Sequence, residues 1–124
     1  MPASKTDIIR SCYGAYESGD RKVLEDLLTE DFRFTSPYDN AIDKAEYFKR
    51  CWPNHELIKE HILEKIVIDG DTAFALYKAV TNDAKQFRNT EFFTFEGDRI
   101  RSVHVFFGET YRDGVFVPQA APSK

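Results

Sequence analysis

The most constraining stretch of this chain runs through its second half, where four strand-like runs follow one another at residues 61–68, 72–80, 86–95 and 100–107. They are separated by Asp69-Gly70, a polar segment at 82–85, and Glu96-Gly97-Asp98. Connections this short join neighbouring strands antiparallel, so a meandering sheet is expected. The third run is long and rich in Phe and Thr. Side chains alternate across a strand, which puts Phe87, Asn89, Glu91, Phe93 and Phe95 on one face. A face that apolar must be covered by other elements.

The first half supplies the cover. Ser4 and Asp7 have the spacing of a capping box, with Thr6 as a competing N-cap. Ile8, Ile9, Cys12, Tyr13, Ala15 and Tyr16 then recur at helical spacing, and Gly19 is a good stop. Asp20 caps a second short helix with the stripe Val23, Leu24, Leu27 and Leu28. Phe32-Arg33-Phe34-Thr35 alternates as a short strand that ends at Ser36-Pro37, because proline cannot donate to a ladder. Residues 38–42 read as a loop. Asp43 and Glu46 cap a third helix carrying Tyr47, Phe48, Cys51 and Trp52, with Pro53 as its stop.

The order is therefore α-α-β-α-β-β-β-β: an α+β fold with three N-terminal helices across one face of a strongly curved, mostly antiparallel sheet, enclosing a cone-shaped apolar pocket. The 124 residues suit one domain, with a core at about 6–108 and a tail at 109–124 that holds one more apolar patch, Val115-Phe116-Val117.

A net charge of −4 with scattered Lys and Arg argues against a nucleic-acid partner. No run approaches the roughly 20 apolar residues of a membrane span, and the N-terminus has no apolar run of signal-peptide type, so a cytoplasmic location is expected. Cys12 and Cys51 do not make a disulfide scaffold. His55, His61 and His104 match no zinc spacing, so no metal site is expected. The chain has no phosphate loop and no dinucleotide fingerprint.

Three motifs in order carry a family resemblance: Glu17-Ser18-Gly19-Asp20 closing the first helix, Phe32 to Pro37, and the pair Phe93 to Ile100 and Val105 to Gly108. With these the chain resembles the nuclear transport factor 2-like superfamily, and within it the SnoaL-like group of polyketide cyclase and ketosteroid isomerase relatives. The resemblance implies the cone fold but leaves the reaction open, since the superfamily holds isomerases, cyclases, hydrolases, dehydratases and pure binding modules. The isomerase base position falls on Ser36 and its tyrosine position on Cys12. Its protonated acid aligns with Glu91. Two of three roles are absent, which argues against isomerisation by that mechanism.

Glu91 is the leading acid/base candidate. Facing inward among phenylalanines it would be desolvated, with a raised pKa. Facing outward it would pair with Arg88, Lys78 or Arg101, and both readings stand at this level. Tyr16 is a candidate hydrogen-bond donor, weighed against ordinary core packing. Asp39 is a weaker candidate at the pocket mouth, weighed against turn chemistry. Cys12, Phe34, Ser36, Tyr47, Trp52, Asn89, Phe93, Val103 and Val105 are expected around the ligand. His104 alternates away from Val103 and Val105, towards an outer face with Phe92, Phe106 and Phe74 or Leu76. Such a stripe, together with the resemblance, implies a homodimer.

The expected function is binding of a small apolar or aromatic molecule, with isomerase, cyclase, lyase or hydrolase chemistry possible through Glu91 and a tyrosine donor and no cofactor required. The alternative is a non-catalytic ligand-binding or dimerisation module.

Overall fold

The computed structural model describes residues 4–118. Helix α1 spans Lys5–Ser18 and α2 spans Arg21–Leu27, followed by strands β1 (Leu28–Ser36) and β2 (Asp39–Asp43) and helix α3 (Lys44–Arg50). A 3-10 turn at Trp52–Glu56 leads into β3 (Ile58–Asp69), β4 (Thr72–Thr81), β5 (Lys85–Glu96), β6 (Arg99–Arg112) and the short β7 (Val115–Phe116).

Local chemistry sets the helix ends. The Ser4 hydroxyl accepts from the Asp7 N–H, and Gly19 takes the left-handed conformation that closes α1 (φ 74°). Asp20 and Asp43 accept from the Val23 and Glu46 N–H groups at the starts of α2 and α3.

The strands form one sheet in the order β2-β1-β6-β5-β4-β3, with β7 on β6. Neighbours are antiparallel except β1 and β6, which run parallel with Phe34 opposite Val103. Three expectations change. Residues 38–42 are not simply a loop, because Asp39–Asp43 pairs back on β1, with Phe34 opposite Ile42. Pro53 does not end the chain's helical course, because it opens the 3-10 turn, where its missing N–H is not needed. The last of the four runs continues past Phe107 to Arg112, so part of the expected tail belongs to the sheet.

Pairing fixes which side chains share a face. Ala73, Phe93, Val103 and Phe34 form one row across the sheet, and Ala75, Glu91 and Val105 form the next. Tyr77, Asn89 and Phe107 form a third. This inner face meets Ile8, Ile9 and Cys12 of α1, Leu24 of α2, and Tyr47 and Phe48 of α3 in one buried core. Burying large side chains such as Phe32, Phe93 and Ile9 contributes on the order of 2 kcal/mol each. Where β5 meets β6, a register shift sets Gly108 against Arg88, and a Cβ on Gly108 would lie 2.5 Å from the Arg88 carbonyl oxygen. No other residue fits that approach.

Candidate functional site

Glu91 stands mid-strand on β5, on the inner face, beside Ala75 on one side and Val105 on the other. Its outward partners are taken elsewhere. Arg88 forks onto Glu64 at 2.7 Å and reaches Glu109, and Arg101 lies 3.7 Å from Asp31. Among the described residues no cation is placed to hold the carboxyl ionised. Tyr77 Oη donates to Glu91 Oε2 at 2.8 Å, and Asn89 Nδ2 donates in turn to Tyr77 Oη at 3.1 Å. Burial pushes the Glu91 carboxyl up to about 7, although the Tyr77 hydrogen bond and the nearby Tyr13 hydroxyl work the other way. Desolvation dominates because neither hydroxyl carries a charge. The residue as a whole is half-buried on the inner face.

Tyrosines surround this carboxyl. Tyr13 packs against Tyr77 (ring centroids 4.9 Å) and against His61 (5.0 Å). Burial raises the Tyr13, Tyr47 and Tyr77 hydroxyls well above the ordinary tyrosine value, and they stay protonated donors. Burial likewise lowers the His61 imidazole, with Glu17 beside it working against that shift.

The other predicted residues fall into distinct places. Tyr16 does not meet Glu91: its hydroxyl pairs with that of Tyr47, and its ring packs on Trp52 at 5.1 Å. Trp52 stacks on His55 at 4.4 Å. Cys12 is buried under Glu91, and burial raises its thiol far above the ordinary range. Phe34, Phe93, Val103 and Val105 lie on the inner face. Ser36 and Asp39 form a separate polar group at the end of β1. There Ser36 Oγ donates to Asp39 Oδ2 at 3.1 Å, and Arg50 binds Asp39 Oδ1 at 2.7 Å. Asp39 therefore anchors α3 to β2, with its side chain 8% exposed. Cys51, beside Asp39, is pushed up to about 12, chiefly by burial. His104 lies on the outer face, stacked on Phe106 at 4.3 Å.

Tyr77 escaped the sequence reading although its signal was present. If Phe74 and Leu76 face outward, period two turns Tyr77 inward, and the small Ala73, Ala75 and Ala79 around it leave space on that face.

Among the described residues no group of three or more His, Cys, Asp or Glu side chains is placed to hold a metal ion. No helix among them is long and apolar enough to cross a membrane. A cleft of about 520 Å³ opens elsewhere, at the β4–β5 turn beside the β6–β7 hairpin, and is lined by Lys59, Asn82, Gln86 and Tyr111 among others. The Asn82 amide there is already spent on the Glu56 carbonyl. The carboxyl that burial raises, Glu91, is not among the residues lining this cleft.

Helices laid across the concave face of a curved sheet, with β2-β1 folded back beside β6, define the nuclear transport factor 2-like cone. The chain belongs to the SnoaL-like domain family, whose model matches residues 9–103. No curated protein matches it significantly. Among solved structures it is similar to a nuclear transport factor 2-like protein of unknown function from Cytophaga hutchinsonii, at 18% identity and TM-score 0.71, covering 87% of this chain and 93% of that one. It is also similar to IdmH of Streptomyces antibioticus, a candidate polyketide cyclase, at 18% identity and TM-score 0.70, covering 84% and 91%. A candidate SnoaL-like polyketide cyclase from Jannaschia sp. CCS1 matches at 14% identity and TM-score 0.66, covering 86% and 90%. At these identities the likeness is one of fold.

Proposed function

We propose that this chain binds a small, largely apolar or aromatic molecule between its helices and the inner sheet face, and that Glu91 acts there as the acid/base group. The carrying observation is a carboxyl with no ion-pair partner, pushed to about 7 and held by a tyrosine hydroxyl. A group half ionised near neutral pH can both take and return a proton, which is what proton-transfer chemistry of the isomerase, cyclase, lyase or hydrolase kind requires. Tyr77 orients the carboxyl, and the Tyr13 hydroxyl lies against it as well. The candidate cyclases of like fold support a carbonyl-bearing substrate, since cyclisation of such chains begins with proton removal beside a carbonyl.

The test is a carboxyl-detected NMR titration of Glu91, followed by mass spectrometry of small molecules released on denaturing the freshly purified protein. A midpoint near 7 and a stoichiometric compound support the reading. A midpoint near the ordinary 4.5 removes the base and sinks it.

A second reading, a non-catalytic binding or dimerisation module, is favoured by the Tyr16–Tyr47 hydroxyl pair, in which one interior hydroxyl donates to the other rather than to a ligand. The outer face supports the dimer in either case. Phe74 and Phe92 pack together at 4.8 Å, and Phe74, Leu76 and Phe106 are all exposed. An apolar stripe of that kind is unfavourable on a monomer.

A further inference from the structure

One imidazole stands behind both hydroxyls that bear on Glu91. His61 lies on β3 opposite Ala79, with its side chain 7% exposed. Its ring packs on Tyr13 of α1 at 5.0 Å and on Tyr77 of β4 at 5.5 Å, and it meets Tyr16 edge-on at 6.4 Å. Tyr13 and Tyr77 pack on each other at 4.9 Å, so three rings from three elements close into a triangle. Two corners of it hold the carboxyl. Tyr77 donates to Glu91 Oε2 at 2.8 Å, and the Tyr13 hydroxyl bonds to the same carboxyl. His61 is the third corner.

His61 is itself held from the solvent side. β3 is an edge strand, and the His61 backbone N–H donates to Glu17 Oε2, which also lies 3.4 Å from the ring's Nδ1. Glu17 follows Tyr13 by four residues on α1, so one helix face presents a ring to the imidazole and a carboxyl to its backbone. The imidazole brings no charge to Glu91 at the pH where that carboxyl titrates, because burial lowers it. Apart from Glu17, the titratable groups around the two residues are Cys12, Tyr13 and Tyr16 on α1, Tyr77 on β4, and Tyr47 and Cys51 around α3. Burial raises every one of them, so all stay protonated and uncharged. What His61 supplies is position.

We infer that His61, held by Glu17, is a positioning residue whose ring fixes the Tyr13 and Tyr77 hydroxyls on the Glu91 carboxyl. This rests on the acid/base reading of Glu91 given above and extends it to a side chain that acts through the two tyrosines. A hydroxyl at the end of a long side chain restrains its acceptor only while packing locks the ring that carries it. Both hydroxyls favour the ionised carboxyl, so releasing them raises its midpoint.

The experiment is a carboxyl-detected NMR titration of Glu91 in the whole chain, comparing the wild type with variants at His61. His61→Leu fills the volume without an aromatic ring, and the Glu91 midpoint should rise by about half a unit or more. His61→Phe restores a ring and should restore the wild-type midpoint. In a Tyr13→Phe/Tyr77→Phe background no hydroxyl is left to position, so His61→Leu should not move the midpoint further. A midpoint that His61→Leu leaves unmoved or lowers, a His61→Phe midpoint as high as that of the Leu variant, or a shift that persists in the double-Phe background overturns the inference. A wild-type midpoint near 4.5 overturns instead the acid/base reading on which it rests. Folding of each variant is checked by its melting curve. Should His61→Leu not fold, the smaller His61→Ala carries the same comparison.

Discussion

Tyr77 and Glu91 are diagonal neighbours on one face of the β4–β5 pair, two residues apart in register, and the tyrosine hydroxyl donates to the carboxyl at 2.8 Å. That bond is the main polar restraint on a carboxyl otherwise set among aromatic rings. It holds the side chain in place without supplying the charge that would keep it ionised. The titration of the carboxyl and the stability of this region depend on this relationship.

The first prediction concerns pH. The folded chain holds the Glu91 proton to about 7, whereas an ordinary glutamate releases it at 4.5. Between those values the unfolded state releases its proton first, so this group's favourable contribution is complete below 4.5 and is lost as pH rises through 7. Glu91→Gln removes the loss. The variant should gain on the wild type by on the order of 2–3 kcal/mol between pH 5 and pH 8, measured by denaturant unfolding at both. A difference independent of pH contradicts the buried carboxyl. The buried His61 titrates in both proteins, so its effect cancels in the comparison.

The second isolates the hydroxyl. Tyr77→Phe keeps the ring but removes a donor to the ionised form, so the Glu91 midpoint should rise above its wild-type value by about one unit. The folded state should lose about 1 kcal/mol. A midpoint that falls in the NMR titration would show that Tyr77 is not the group restraining the carboxyl.

The third tests the close approach at the β5–β6 register shift. Gly108→Ala drives a methyl into the Arg88 carbonyl, and backbone cannot give way as a flexible side chain can. A loss of about 2 kcal/mol or more is expected in thermal unfolding. At Gly70 (φ +59°) the space is open, so Gly70→Ala costs only conformational strain, roughly 1 kcal/mol. Equal effects at the two positions would remove the argument from the close approach.

The fourth addresses assembly. Phe74→Asp with Phe106→Asp charges the exposed outer stripe without touching the inner face. Light scattering should show the wild type as a dimer at micromolar concentration and the double variant as a monomer with an unchanged Glu91 midpoint. A wild-type monomer would refute the dimer.

Much of the site's surroundings was legible because it follows from local rules. Period two alone places Asn89, Glu91 and Phe93 on one face of β5, and the same rule sends His104 outward from Val103 and Val105. What it could not settle was which face was buried, because a strand alternates identically whichever way it is turned. For that reason Glu91 could be read equally as a solvated partner of Arg88. The structure commits Arg88 to Glu64 and Glu109, and the carboxyl is left inside. Tyr16 shows the converse case. Its helical position was correctly read, but its hydroxyl finds Tyr47, which lies 31 residues away along the chain.

By itself the sequence determined the helix caps at Asp20 and Asp43, the turns at Gly70 and Gly97, the four long strands and their antiparallel succession. Each of these depends on residues within a few positions of one another. Only the tertiary structure decided that residues 39–43 pair back on β1, that β1 runs parallel to β6, and that Tyr13, Tyr77, Asn89 and Glu91 meet at one point. Those outcomes depend on register and on packing between distant segments. A carboxyl's proton affinity is set by everything packed around it, and that environment does not exist until the sheet has closed over its helices.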